Sequence, residues 1–437
     1  MDPMCQLSRA RSCSTPAHEP EMKDLIVEQW PLNPDGTDWD GTGLMPRVNS
    51  GQCPFDQGLG YSIDIPHLVR EIEMHLECSV TDIPHASFGA SNFGFAITTA
   101  DGRTLIARLS RVDTNREVAA GTDPLRARSD DAFELAAYNA LYALGEPFDC
   151  RPLYSRDADT APAHAPVAPN QGRRVFVFVK ADGHPYRYGH WRELTAEQKA
   201  WERTLGGDAR RLTSFPVPAV EPTRGFCMAL VRARIEAVFA TGGDEAEGKD
   251  VKDSNAVLDG VRRTLLRLLS LSLPRDGSEQ RQKHREAELY RFVLDHGDFG
   301  IHNMTLARDD DDMPRITSVF DWEHGCVVPA ILSEPRMITT ADLVLSADYL
   351  KPIFERWGDG SAPDKMAEYR NDTAKYYKEL FKQAPEYESI LGAGRDVRRI
   401  WISLRDHRNR QDSIAYFKQL ETWAKTRIAI LETCDRS

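Results

Sequence analysis

The segment from Leu294 to Glu323 constrains this chain more than any other. An apolar run, Phe292-Val293-Leu294, leads straight into His296-Gly297-Asp298-Phe299-Gly300-Ile301-His302-Asn303. Two short strand signals follow, Met304 to Ala307 and Ile316 to Phe320, and the second ends on Asp321-Trp322-Glu323. A plain hairpin with solvated acids does not account for an apolar strand delivered directly to such a loop. The pattern calls instead for a fold in which a polar loop and the acidic end of a nearby strand work together.

The whole chain has 437 residues, more than one hydrophobic core usually supports, so two lobes are expected. Its 41% apolar and 28% charged residues are those of an ordinary globular protein. No window approaches the roughly 18 to 20 consecutive apolar residues of a membrane span. The stretch Met1 to Asp24 lacks the apolar core of a secretory signal. It carries Arg9, Arg11 and several serines with few acids before Glu19, which leaves an organelle-transit reading beside that of a disordered tail. The eight cysteines are scattered with no C-x-x-C pair, so reduced thiols in a cytoplasmic protein are expected, not a zinc site or disulfide framework. A net charge of −12 and a pI near 5.5 argue against a nucleic-acid surface and mildly favour cationic ligands.

Residues 1–65 are rich in Pro, Gly, Asp and Ser and read as a loosely ordered extension. Trp30, Trp39 and Phe55 are large groups to leave in water, so part of it is a candidate strap. A short helix is predicted over Pro66 to Leu76, from Leu68, Ile72 and Leu76 recurring every four residues. Strands follow over Phe88 to Thr99 and Thr104 to Leu109, joined by an Asp101-Gly102 turn. Phe133, Ala137, Ala140 and Leu144 mark a helix over Asp131 to Leu144, and strand signals recur at Arg151 to Tyr154 and Arg174 to Val179. The Ala/Pro-rich stretch Asp157 to Gly172 reads as a loop insertion. Beyond about residue 190 the chain turns helical, at Leu194 to Leu205, Asn255 to Ser270 and Ile414 to Ile428, with a solvated loop at Thr241 to Ser254. The order is a β-rich half with one inserted helix, then a helical half carrying a small cluster of strands. Three regions are expected: an extension over 1–65, a first lobe over 66–180 and a helical second lobe over 181–437.

Phosphoryl transfer from ATP needs a carboxylate near the acceptor hydroxyl and oxygen ligands for Mg2+. Asp298 and Asn303 lie five residues apart on one loop, and Asp321 lies 18 residues after Asn303 on a strand end. Together they can meet both demands, and oxygen donors suit this hard ion.

The string H-G-D-F-G-I-H-N, followed by V-F-D-W-E, resembles the aminoglycoside phosphotransferase and choline kinase superfamily. The resemblance implies an α+β, bilobal protein-kinase-like fold: a β-rich N-lobe with one inserted helix and a mainly helical C-lobe. It implies ATP- and Mg2+-dependent phosphorylation of a small-molecule hydroxyl, with no nucleic-acid or membrane partner. It implies that Asp298 is the catalytic base, that Asn303 and Asp321 hold the metal, and that His296 belongs to the catalytic loop, where hydrogen bonding to backbone suits it. Gly297 stands where protein kinases carry Arg. Arg108 falls where the fold places a cation over the phosphates, and Glu134 where that cation's partner belongs. Asp130, Asp131 and Arg111 offer alternative registers for this pair. Ser91 and Asn92 fall in the turn expected to cover the phosphates. Val179 to Gly183 resembles the hinge between lobes, with the backbone of Val179 and Ala181 toward adenine and Phe178 at the back of the pocket. In the resembled family an Asp-Pro stretch and a helix with an aspartate follow the metal aspartate, whereas here Gly325 to Pro335 gives way to Ala341-Asp342-Leu343.

Other residues carry blander readings. His302 orients the loop, Glu323 sits at a solvated edge or assists the metal, and Asp309 to Asp312 forms a solvated hairpin turn. The acceptor pocket is expected among helices within Thr340 to Trp423. Two alternatives stand beside the lead reading: a protein kinase, opposed by Gly297 and the short run from Asp321 to Pro335, and a catalytically weak kinase-fold binding module.

Overall fold

Strict alternation of buried and less buried residues marks two paired strands of the N-terminal sheet. The structure is a computed structural model. It describes residues 30–33, 35–56, 63–89, 91–111, 113, 124–143, 152–158, 170–185, 220–240, 249–274, 287–310, 314–334, 343–345, 352–354, 376–378, 380–406 and 413–434. By its internal contacts the chain divides into two units, one of Met1–Ser129 with Leu153–Phe178, the other of Asp130–Pro152 with Val179–Ser437.

In the first unit, β1 (Val80–Phe88), β2 (Asn92–Thr99), β3 (Thr104–Ser110), β4 (Pro152–Arg156) and β5 (Val175–Val179) form one sheet in the order β1-β2-β3-β5-β4. Phe93, Phe95 and Ile97 of β2 and Leu105, Ala107 and Leu109 of β3 are fully buried on one face. Register places Gly94 opposite Arg108, so Arg108 stands on the other face, beside a position without a side chain. The Asp101-Gly102 turn forms as expected, its Asp101 carboxylate accepting from the Thr99 hydroxyl at 2.6 Å. The strand expected over Phe88 to Thr99 begins only at Asn92, and Phe88 ends a separate strand, β1, whose alternation is broken by Pro84 and the polar residues around it.

Within residues 1–65, the described residues include aromatic rings that pack on one another and on the sheet. Trp39 and Phe55 are buried, Trp30 stacks on Trp39 at 5.3 Å and on Phe88 at 4.8 Å, and Phe55 meets Phe93 edge-on at 5.7 Å. Burial of such rings contributes about 1.5–3 kcal/mol each. The short helix α1 (Leu44–Asn49) follows, and just before it Thr42 bridges His85 while the Ala86 amide donates to the Gly41 carbonyl at 2.7 Å. The segment thereby covers the open edge of β1, which would otherwise present unpaired backbone groups.

α2 (Ile65–Leu76) is capped by Asp64, whose carboxylate accepts from the His67 amide at 2.7 Å. Its buried Glu71 accepts hydrogen bonds from Tyr154 at 2.7 Å and from the Arg156 guanidinium, tying the helix to β4. Arg156 also donates to the carbonyls of Asn170, Gln171 and Arg173, holding the turn before β5.

α3 (Pro124–Ala143), which belongs to the second unit from Asp130 onward, starts earlier than the predicted Asp131, although Pro124 is a suitable first-turn residue. α4 (Arg224–Ala240), α5 (Lys249–Ser272), α6 (Pro385–Ala393), α7 (Arg395–Asp406) and α8 (Ser413–Cys434) supply the core. Val261, Leu265, Leu268 and Leu269 of α5 pack with Phe417, Leu420 and Ala424 of α8 and with Val231 and Ile235 of α4. α5 begins at Lys249, inside the expected loop of Thr241 to Ser254, because its polar first turns extend a helix whose apolar stripe starts later. Small strands complete the unit: β6 (His184–Pro185), β8 (Met304–Arg308) and β9 (Pro314–Val319) form one sheet, and β7 (Phe292–Asp295) pairs antiparallel with β10 (Cys326–Pro329). A ribbon of β11 (Leu343–Leu345) and β12 (Pro352–Phe354) lies where helices alone were expected. The predicted helix over Leu194 to Leu205 lies outside the described residues, as do Asp342 and most of the Asp157 to Gly172 loop. Among the described residues no helix is long and apolar enough to cross a membrane, and Cys53, Cys78, Cys227 and Cys326 are free thiols.

Burial pushes the Glu71 carboxyl up, but the hydrogen bonds from Arg156 and Tyr154 outweigh it and hold the group below the usual carboxylate range. A depressed pKa stabilises the folded state above the unfolded value of about 4, and that contribution is lost as pH falls through the folded value. Glu71→Gln is expected to destabilise the first unit by about 2–3 kcal/mol at neutral pH. In urea unfolding followed by tryptophan fluorescence, the variant should also lose part of the wild-type fall in stability below about pH 4. An unchanged acid limb would contradict this assignment.

Candidate active site

The loop between β7 and β8 is held at both ends by strands. The β7–β10 ladder sets Asp295 opposite Cys326, and the buried Asp295 carboxylate accepts from the Glu334 amide at 3.1 Å. Glu334 in turn binds the Arg405 guanidinium, so helix α7 supports the strand that feeds the loop. Gly297 then turns the chain with φ of 77°, a left-handed conformation that a side chain would strain by about 1–2 kcal/mol. At the other end β8 pairs with β6, and Gly183 just before β6 lies so close to the Leu306 carbonyl that a Cβ would sit 1.9 Å from its oxygen.

His296 is buried, and its Nε2 donates to the Phe320 carbonyl at 2.9 Å. Its ring lies 4.4 Å from that of Trp322 and 6.0 Å from that of Phe299. The Asn303 carbonyl accepts from the Phe320 amide at 3.0 Å. Two loop residues therefore hold both backbone groups of Phe320, immediately before Asp321.

The Asp298 side chain is 35% exposed, open to a ligand yet held. His302 Nε2 lies 3.2 Å from its Oδ2, four residues along the loop. The buried Asn303 amide donates to the Asp298 carbonyl at 2.9 Å and to Oδ2 at 3.4 Å.

Asp321 follows β9 in the left-handed conformation, φ 71° and ψ 51°, which Asp tolerates better than most residues. Its amide donates to the Tyr138 hydroxyl at 3.2 Å, and that hydroxyl donates to Glu134 Oε1 at 3.2 Å. Glu134 and Tyr138, one turn apart on α3, are both buried. Sequence reasoning assigns Glu134 to Arg108 and says nothing of Tyr138, whose hydroxyl meets Glu134 and Asp321 only in the fold.

Among the described residues no three His, Cys, Asp or Glu side chains gather into a metal-binding group. Asp321 offers a carboxylate and Asn303 an amide oxygen, donor types that suit Mg2+, an ion that keeps several waters and takes further oxygens from phosphates. A site for Ca2+ alone would need more protein oxygens than these.

The remaining expected residues divide between the units. Arg108 and Ser91 belong to the first, where the Ser91 carbonyl accepts from the Arg111 amide at 2.8 Å. Arg111 donates to the Gly89 carbonyl at 2.7 Å and lies over the rings of Phe88 and Phe93, so it fastens the β1–β2 turn. Val179 and Ala181, half-buried, begin the second unit's long segment, directly after Phe178.

No protein-family model matches the sequence, and no curated protein does. Solved structures of similar chain path include aminoglycoside phosphotransferase APH(2'')-Ib bound to ADP, at 11% identity, 82% of this chain, 95% of that chain and a TM-score of 0.42. Amicoumacin kinase hAmiN with AMP-PNP, Ca2+ and its ligand matches at 12% identity, 84% and 94% coverage and a TM-score of 0.41. The ternary complex of streptomycin, ATP and APH(2'')-IIa matches at 11% identity, 81% and 95% coverage and a TM-score of 0.39.

Replacing Gly297 by Ala should loosen the loop it turns. Hydrogen exchange is expected to accelerate at the Asn303 and Phe320 amides, with protection in α5 unchanged. Exchange identical to wild type at both amides would show that the left-handed turn is not what holds them.

Proposed function

We propose that this chain is a phosphotransferase that uses ATP and Mg2+ to phosphorylate a hydroxyl of a small molecule. The observation that carries this reading is the shared anchorage of Asp298, Asn303 and Asp321. Asp298 is hydrogen-bonded by His302 and Asn303, and the same loop holds the backbone immediately before Asp321. Bond making in phosphoryl transfer asks little covalent chemistry of a protein, so positioning and electrostatics are what a site must provide.

In this reading the Asp321 carboxylate and the Asn303 amide oxygen hold Mg2+. A bound Mg2+ neutralises charge on the phosphate oxygens of the nucleotide. Asp298 accepts a hydrogen bond from the acceptor hydroxyl and takes its proton as the oxygen–phosphorus bond forms and ADP leaves. His302 and Asn303 fix the rotamer of Asp298, and His296 acts through Phe320 as a positioning residue. Arg108 is assigned to the phosphates. Ser91 is assigned to the phosphate-covering turn, and the backbone of Val179 and Ala181 to the adenine edge.

Two variants separate the roles. Asp298→Asn keeps the shape of the side chain but removes the base. Turnover should fall by about 10²–10⁴-fold while Mg2+·ATP affinity stays within about twofold. The assay is Mg2+-dependent ADP release across a panel of hydroxylated metabolites, and an Asp298→Asn protein as active as wild type on the responding acceptor would defeat the assignment. Asp321→Asn preserves tolerance of the left-handed backbone and removes the charge. Calorimetric titration with Mg2+·ATP should show affinity about 10–100-fold weaker. Unaltered binding would remove Asp321 from the metal.

A further inference from the structure

The β8–β9 ladder ends at the pair of Met304 and Val319, so the next residues must find partners outside the sheet. Three successive backbone groups do so. The Phe320 amide goes to the Asn303 carbonyl, the Phe320 carbonyl to the His296 ring, and the Asp321 amide to the Tyr138 hydroxyl of α3. The first two bonds come from the catalytic loop itself. The third comes from a helix remote in sequence, 183 residues away.

A phenol has one proton to give and lone pairs to receive. Here the proton goes to Glu134 Oε1, which leaves the oxygen turned as an acceptor toward the Asp321 amide. Tyr138 is 1% exposed and Glu134 wholly buried, so water has no ready access to replace either bond. The direction of the Asp321 carboxylate depends on its φ and ψ, which sit in a region that disfavours most side chains. A bond to the amide of that residue restrains the peptide plane from which φ sets the direction of the Cα–Cβ bond, and so the base from which the carboxylate reaches out.

We propose that Tyr138 is a positioning residue for Asp321: its hydroxyl, oriented by Glu134, holds the left-handed backbone that points the Asp321 carboxylate at the divalent cation. The inference rests on the reading that Asp321 holds Mg2+. It gives Glu134 a task within its own unit, orienting a hydroxyl. Packing alone does not require the hydroxyl, since a phenylalanine would fill the same volume.

The test uses the full chain with Tyr138→Phe, which keeps the ring, and Asp321→Asn as the reference. ATP is titrated calorimetrically with Mg2+ and again with EDTA, and exchange of the Asp321 amide is followed in the protein alone. Tyr138→Phe should weaken Mg2+·ATP binding about five- to tenfold, as loss of one buried hydrogen bond implies. Metal-free ATP binding should hold within about twofold, since packing is kept. The Asp321 amide should exchange faster while the Phe320 amide stays protected. A merely structural role would lower the unfolding temperature and leave the Mg2+-dependent increment in ATP affinity intact, which would overturn the proposal. If Asp321→Asn removes that increment and Tyr138→Phe does not, the inference alone fails. If Asp321→Asn leaves it unchanged, the metal assignment fails and the inference falls with it.

Discussion

Everything proposed for this chain depends on the fastening of one dipeptide, Phe320-Asp321, at the end of a short strand. A strand end has no ladder to hold it, and its backbone groups lose free energy if they are buried without partners. His296 and Asn303 take both groups of Phe320, and Tyr138 takes the amide of Asp321. The loop that carries Asp298 and the strand that carries Asp321 are thus one mechanical piece. A catalytic constellation needs this kind of support, because side chains are only as well placed as the backbone beneath them.

Support extends outward through buried charge. Asp295 holds the Glu334 amide, Glu334 binds Arg405, and the buried Arg398 donates to the carbonyls of Ile331, Ile390 and Leu391. Asp396 and Arg427, both buried, join α7 to α8. Such groups add little net stability compared with apolar replacements, but removing one partner leaves a desolvated charge. They tie α6, α7 and α8 to one another and to the backbone at Ile331. The first unit uses aromatic rings for a comparable end, with Trp30, Phe55 and Arg111 gathered on the β1–β2 turn that sequence reasoning assigned to phosphate.

Much of the local structure was legible. The alternation in Phe93, Phe95 and Ile97 announces a strand, the stripe Val261, Leu265, Leu268 announces a helix, and the Asp101-Gly102 pair announces a turn. These follow from periods of two and 3.6 residues and from φ preferences, all of which act over a few positions. Boundaries were less legible, at Pro124 and Lys249, since a polar first turn carries no apolar mark. The order of β5 between β3 and β4 was not legible at all, because pairing between distant strands leaves no trace in either one.

For the candidate site the division is the same. By itself the sequence determined the chemical inventory: Asp298, Asn303 and Asp321, with their residue types and spacing on a loop and a strand end. Only the tertiary structure decided that His296 faces the Phe320 carbonyl, that His302 rests on Asp298, and that Tyr138 from a distant helix holds the Asp321 amide. The physical reason is range. Side-chain type and backbone preference are local properties written residue by residue, whereas a hydrogen bond across 183 positions exists only after the intervening chain has packed.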